Sequence, residues 1–222
     1  MQEIILNFLN ETLSGFDGGI ITAVSALHCN FLTFIFKVIT FLGEKGIVFF
    51  LGAIVLMLFK KTRPIGICIF GAVGLGAIIT NIALKDYVMR LRPFESGIEF
   101  YAKLWKNIGS PAESGFSFPS GHMTATTSAM TVLFIFLKKK WCYIPIIITL
   151  LMGLARVYLL AHYPTDVIAG LIVGAISGVF AYYITKLIYL ILEKYKDKKV
   201  FEFILNFDFK LIKKEKKEQD EI

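Results

Sequence analysis

Three short stretches of this chain combine residue types that could do chemistry. In the first, Lys85 and Arg92 are separated by six residues and Pro93 follows at once. That separation is almost two helical turns, which predicts two cations projecting from one side of a helix end, as a polyanionic ligand would require. Ordinary snorkelling at a membrane interface is the plainer explanation of this pair taken alone. The second stretch is Pro119-Ser120-Gly121-His122. Ser120 is placed to cap a following helix, Gly121 lets the backbone approach a ligand, the free amides of a helix start suit a phosphate, and His122 can give a proton. A helix cap beside a surface histidine is the alternative. In the third stretch Arg156, His162 and Asp166 have five and then three residues between them. A histidine just ahead of a helix that begins at Pro164 could donate a ring hydrogen bond to the carboxylate in the first turn. Its other nitrogen would then be free as nucleophile or base. Simple capping by His162 and Asp166 competes with that reading.

The elements that must hold these groups are apolar. Of 222 residues 56% are hydrophobic and 18% charged, and the mean hydropathy is +0.67. Such a balance excludes an ordinary cytosolic enzyme. Uncharged runs at 18–36, 46–59, 64–84, 123–137, 141–155 and 167–185 predict an all-α, polytopic membrane helical bundle of five or six transmembrane helices. Several runs are shorter than the roughly 20 residues a span needs, so flanking Lys and Arg must snorkel. The first run is interrupted by His28, Asn30 and Lys37, and an interfacial helix with a shorter insertion is an alternative there.

Lys60, Lys61 and Arg63, then Lys138 to Lys140, then the Lys-rich tail follow the second, fourth and sixth runs. The excess of positive charge puts these three inside. The segments 85–122 and 160–166, with two of the chain's three histidines, then share the outer face. Residues 1–192 are expected to form the membrane domain, and 193–222 a cytoplasmic Lys-rich tail against the anionic leaflet. The net charge of +7 is scattered in short clusters, which argues against nucleic-acid binding. Cys29, Cys68 and Cys142 suit buried small hydrophobes better than disulfides. The polar N-terminus has no basic start, so no cleavable signal peptide is expected. His28 reads as an interfacial or satisfied core residue; Arg90 and Glu113, in or near the outer segment, could touch substrate, with solvated surface the plainer reading of both. Phe94, Phe100, Tyr101 and Trp105 suit a membrane-surface belt where a lipid tail could enter, with anchoring alone the alternative.

Together the three stretches resemble the type 2 phosphatidic acid phosphatase family, whose signature is Lys-x6-Arg-Pro, Pro-Ser-Gly-His and Ser-Arg-x5-His-x3-Asp. Here these fall on Lys85 to Pro93, Pro119 to His122, and Ala155 to Asp166. Ala155 stands where the family usually has serine, so a hydrogen bond from that serine to phosphate is absent. The likeness extends roughly over 31–187. The surroundings Thr40-Phe41-Leu42-Gly43 and Tyr163-Pro164-Thr165-Asp166 are similar to bacterial members of the undecaprenyl-diphosphatase or phosphatidylglycerophosphatase kind.

The resemblance implies a multi-pass cell-membrane enzyme that hydrolyses a lipid phosphate or diphosphate on the extracytoplasmic side. His162 would be the nucleophile, Asp166 its orienting carboxylate and His122 the acid for the leaving oxygen. Lys85, Arg92, Ser120, Gly121 and Arg156 would hold the phosphate. No cofactor, metal or obligate protein partner is implied, and the partners are the lipid substrate and membrane lipids. A lipid phosphotransferase with the same residues, or a non-catalytic membrane transporter or binding protein, are the rival readings.

Overall fold

The computed structural model describes residues 1–209, and these hold helices and turns with no strand among them. In chain order the helices are α1 (Gln2–Asn7), α2 (Ser14–Ser25), α3 (Asn30–Leu42), α4 (Ile47–Met57), α5 (Arg63–Ala77), α6 (Lys85–Val88), α7 (Glu99–Asn107), α8 (Gly121–Phe136), α9 (Tyr143–Tyr158), α10 (Pro164–Lys194) and α11 (Lys199–Asn206). An apolar chain in lipid must satisfy its backbone amides internally, which leaves helices as the outcome for these runs. Side chains such as Leu51, Ile54, Ile146, Leu150, Phe180 and Leu187 face outward, where hydrocarbon would receive them.

The helices α4, α5, α8, α9 and α10 pack side by side. Their core is built from small residues, among them Ala53, Cys68, Ala72, Ala125, Ala129 and Ala181. Between helices in a membrane, close backbone approach through small residues does the work that apolar burial does in water. Gly170, Gly174 and Gly178 recur every four residues along one face of α10 and lie against α8. A Cβ on Gly174 would stand 2.6 Å from the Thr124 carbonyl oxygen, and one on Gly170 2.7 Å from that of Ser120.

The first apolar run is not one helix. α2 stops at Ser25 and α3 starts at Asn30. Both ends of α3 lie near α9: Thr33 Oγ1 is 2.9 Å from the Tyr158 hydroxyl, while Gly43 abuts Met152 and His122. α3 and α4 then meet at a 50° bend, with Gly46 at φ +70 between them. His28 accepts its place in this connection, its Nε2 lying 3.0 Å from the Tyr158 carbonyl.

Three apolar helical stretches among the described residues, Arg63–Glu95, Lys139–Tyr158 and Pro164–Lys194, are long enough to cross a membrane, and a fourth is added if the bent pair α3–α4 is one span. α4 and α8, of 11 and 16 residues, are shorter than the about 20 that span a bilayer alone.

The third run also differs from a plain helix. After Ala77 the chain widens into a π-helical segment, Ile78–Leu84, and the short α6 ends where Met89 takes φ +54. Lys85 and Arg92 therefore do not project from one continuous helix, since Arg92 sits on extended backbone. At the opposite end of the bundle α11 is tied down by Arg63, which donates to the carbonyls of Ile204 and Phe207. The part of the Lys-rich tail from position 210 onward lies outside the described residues.

Candidate active site

Two helix starts face one another at one end of the bundle. Ser120 caps α8, its Oγ accepting from the Met123 amide at 3.4 Å, and its own amide donates to the Asp166 carbonyl at 3.0 Å. α10 opens with Pro164 in its first turn, and Asp166 accepts from the Tyr163 amide at 2.9 Å. Proline is tolerated there because the missing N–H would have had no intrahelical partner. The two starts thus brace each other, and His162 is set between them with only 1% of its surface exposed.

A cavity of about 540 Å³ opens beside this junction, lined in part by Lys85, Arg92, Gly121, His122 and His162, with Lys37, Thr40 and Glu44 at and beyond the α3 side. A Cβ on Gly121 would lie 4.0 Å from Lys85 Nζ, so the interrupted helix still delivers Lys85 to the α8 start. Arg92 is buried and held by the surrounding carbonyls: Nε donates to that of Gly115 at 2.9 Å, Nη2 to that of Ser114 at 3.1 Å, and Nη1 to that of Ala161 at 2.8 Å. Arg92 Nη1 also lies 3.4 Å from His162 Nε2. A guanidinium can only donate, so this contact suits a lone pair on Nε2. Burial, followed by the charges of Arg156 and Arg92, holds the His162 imidazole well below its ordinary value.

The expected ring–carboxylate hydrogen bond is not direct. His162 Nδ1 and Asp166 Oδ2 are 3.7 Å apart, and Ser117 lies between them, its Oγ 3.3 Å from Nδ1 and donating to Asp166 Oδ2 at 2.5 Å. Asp166 is occupied on its other side as well. Arg90 Nη1 donates to Oδ1 at 2.7 Å, and Arg90 Nη2 donates to Asp17 Oδ2 at 2.8 Å. Asp17 in turn accepts from the Thr165 amide at 2.9 Å. Arg90, expected at a solvated surface, is 1% exposed and joins α2 to the start of α10, with its guanidinium 3.9 Å from the Tyr163 ring centre.

Glu113 corrects a second expectation. It is not solvated surface but bridges two guanidinium groups, with Oε2 accepting from Arg92 Nη1 at 3.0 Å and Oε1 from Arg156 Nη2. Burial would raise its carboxyl, yet Arg156 overrides burial and holds it down at about 2. Two buried polar atoms, Arg156 Nε and, at the cavity, His122 Nε2, make no well-aligned hydrogen bond among the described residues. Glu44 Oε2 comes within 3.3 Å of that His122 nitrogen. Ala155 packs with Phe36, Tyr158 and Leu159. No group of three His, Cys, Asp or Glu side chains among the described residues is arranged to hold a metal ion. Phe94 stacks on Trp105 with ring centres 4.7 Å apart, and Tyr101 packs in the cluster that contains Tyr163.

All eight residues singled out from sequence therefore meet at one end of the bundle. Ser117 and Asp17 are not marked as site residues by the sequence, and Arg90 and Glu113, which it offers as substrate contacts or surface, are instead paired in the interior, with partners tens of residues away. The one sequence signal for Asp17 was a carboxylate opening an apolar run.

Comparison with known proteins agrees with the geometry. The chain is 35% identical over 123 residues to an undecaprenyl-diphosphatase of Sulfolobus acidocaldarius, covering 54% of this chain and 55% of that protein. It is 27% identical over 180 residues to a lipid A 4'-phosphatase of Bacteroides thetaiotaomicron, covering 78% and 79%. The chain spans about half the length of several curated relatives that it matches. The crystal structure of a transmembrane PAP2 type phosphatidylglycerolphosphate phosphatase from Bacillus subtilis superposes with a TM-score of 0.67 at 24% identity, over 83% of this chain and 92% of that one. The PAP2 superfamily profile matches residues 65–189, the stretch that carries α5, both facing helix starts and the cations between them, and the chain belongs to that superfamily.

Proposed function

We propose that this protein is an integral membrane phosphatase that hydrolyses a lipid phosphate or diphosphate, undecaprenyl diphosphate or a phospholipid phosphomonoester, at the outer leaflet of the cell membrane. The observation that carries this reading is the convergence of Lys85, Arg92 and two histidines on one cavity, with Arg156 behind them on Glu113 and its Nε buried without a hydrogen-bond partner among the described residues. A tetrahedral anion is the ligand that such donors suit.

His162 Nε2 attacks phosphorus, the bond from phosphorus to the lipid oxygen breaks, and His122 gives that oxygen a proton. A water then attacks the phosphohistidine, surrenders its proton to His122, and inorganic phosphate leaves. Asp166, through Ser117, keeps the proton of His162 on Nδ1. Lys85, Arg92, Arg156 and the amides at Ser120 and Gly121 meet the charge on the equatorial oxygens. The named activities of the relatives support a lipid phosphate as the substrate class.

In this reading residues 1–192 form the catalytic unit with five or six membrane crossings, the short α4 and α8 included. Residues 193–222 form the inner tail. No cofactor and no protein partner take part.

The test is phosphate release by the purified protein in detergent from undecaprenyl diphosphate, phosphatidic acid, phosphatidylglycerol phosphate and lipid A. At least one should be turned over many times, and His162→Ala should release nothing. Absence of release from all four, or undiminished release by the variant, would overturn the reading.

A further inference from the structure

The cations of the cavity already hold an anion, supplied by the chain itself. Glu113 lies in the coil between α7 and α8 and spans Arg92 and Arg156 with one oxygen on each. A planar carboxylate presents two oxygens, whereas a phosphoryl group presents three or more in a tetrahedral array. Arg156 Nε, which Glu113 leaves without a hydrogen bond, and His122 Nε2, which has only the 3.3 Å approach of Glu44, are groups a third oxygen could serve. The carboxyl stays ionised at any physiological pH because Arg156 outweighs the effect of burial. A second anion beside it, in a site screened poorly by water, would be strongly repelled. Arg92 also holds the Ser114 and Gly115 carbonyls, so displacing Glu113 takes a swing of its side chain away from the guanidinium groups while the backbone stays anchored, and that side chain is only partly buried.

We propose that Glu113 is an internal counter-anion which only a terminal phosphoryl group displaces from Arg92 and Arg156, and that it thereby sets the selectivity of the site. The proposal deepens the phosphatase reading and rests on it. A phosphomonoester or terminal diphosphate, close to dianionic with three unsubstituted oxygens, brings more charge than the carboxylate it replaces. A phosphodiester headgroup brings one charge and two unsubstituted oxygens, no more than Glu113 itself. The bulk phospholipids around the protein are such diesters, and Glu113 keeps them out of the cations. Return of the carboxylate after hydrolysis helps expel inorganic phosphate.

The experiment compares wild type with Glu113→Gln in detergent micelles, first by the thermal midpoint as a function of inorganic phosphate concentration, which needs no turnover. The Gln variant is expected to melt lower than wild type without phosphate, because two buried guanidinium groups lose their carboxylate. It should be restored at phosphate concentrations on the order of tenfold below those that shift wild type. Phosphatidylglycerol added to the micelles should inhibit phosphate release from phosphatidic acid by the variant and leave wild type unaffected, and both KM and kcat should fall in the variant as product leaves more slowly. Glu113→Asp, whose shorter arm weakens the bridge without removing charge, should fall between the two and serves as the readout if the Gln protein does not fold. Phosphate affinity equal to or weaker than wild type in the variant that folds would overturn the proposal. Tighter phosphate binding by the variants, together with no turnover of any lipid by wild type, would leave the counter-anion standing and overturn the phosphatase reading instead.

Discussion

His162 is prepared by its surroundings more than by a single partner. Ser117 links its Nδ1 to Asp166 and Arg92 faces its Nε2, so the nitrogen assigned to attack carries the lone pair. Because burial and two guanidinium charges hold the imidazole well below its usual value near 6.5, falling pH should not protonate it where a free histidine would be lost. Phosphoenzyme formed from p-nitrophenyl phosphate, trapped by rapid quench between pH of about 8 and 6, should stay level. A decline following protonation near 6.5, the unperturbed imidazole value, would contradict the assignment. In the same assay His122→Ala should retain label, since a nitrophenolate needs little protonation, while its turnover of a lipid phosphate should drop by roughly 10²–10⁴-fold. Local spacing made the motif residues legible, because each motif confines its groups to a helix start. Arg90, Asp17 and Glu113 were not legible. Whether a lone charge is solvated or neutralised depends on a partner that only the folded chain brings near, and here Asp17 and Arg90 are 73 positions apart.

At the level of helices, the close seam between α8 and α10 fixes the distance between the two facing helix starts. Gly174 lies with its Cα against the backbone of Thr124 and Ser128, and a larger residue must push α10 away. Gly174→Leu should destabilise the protein by about 1–3 kcal/mol and reduce phosphate release, whereas Gly74→Leu, at a position with open space around it, should do neither. Unfolding in mixed detergent micelles and the phosphate assay on both variants measure this, and equal behaviour would deny the seam its role. Apolar runs located α5, α8, α9 and α10 from sequence. They did not reveal the π-helical widening at Ile78–Leu84 or the end of the helix at Met89. Hydrophobicity along a run does not change when one extra residue enters a turn, so the widening leaves no mark in the apolar pattern.

For the molecule as a whole, the two ends of the bundle differ in charge. The α4–α5 and α8–α9 turns and the end of α10 carry Lys60, Lys61, Lys138 to Lys140 and Lys194. The helix starts that hold the site lie at the other end. With the native cysteines replaced, Glu99→Cys should react with an impermeant thiol reagent on intact cells and Lys139→Cys only after permeabilisation. The reverse pattern would place the site inside. A different consequence follows from Asp17. It lies outside the stretch shared with the superfamily, yet through Arg90 and Thr165 it holds the first turn of α10. Docking of α2 on the bundle and the arrangement of Asp166 are therefore one linked equilibrium. A detergent, or a bilayer of altered thickness, that draws α2 away must also disturb what holds Asp166 beside His162, so the physical state of the surrounding lipid becomes an input to the geometry of the site.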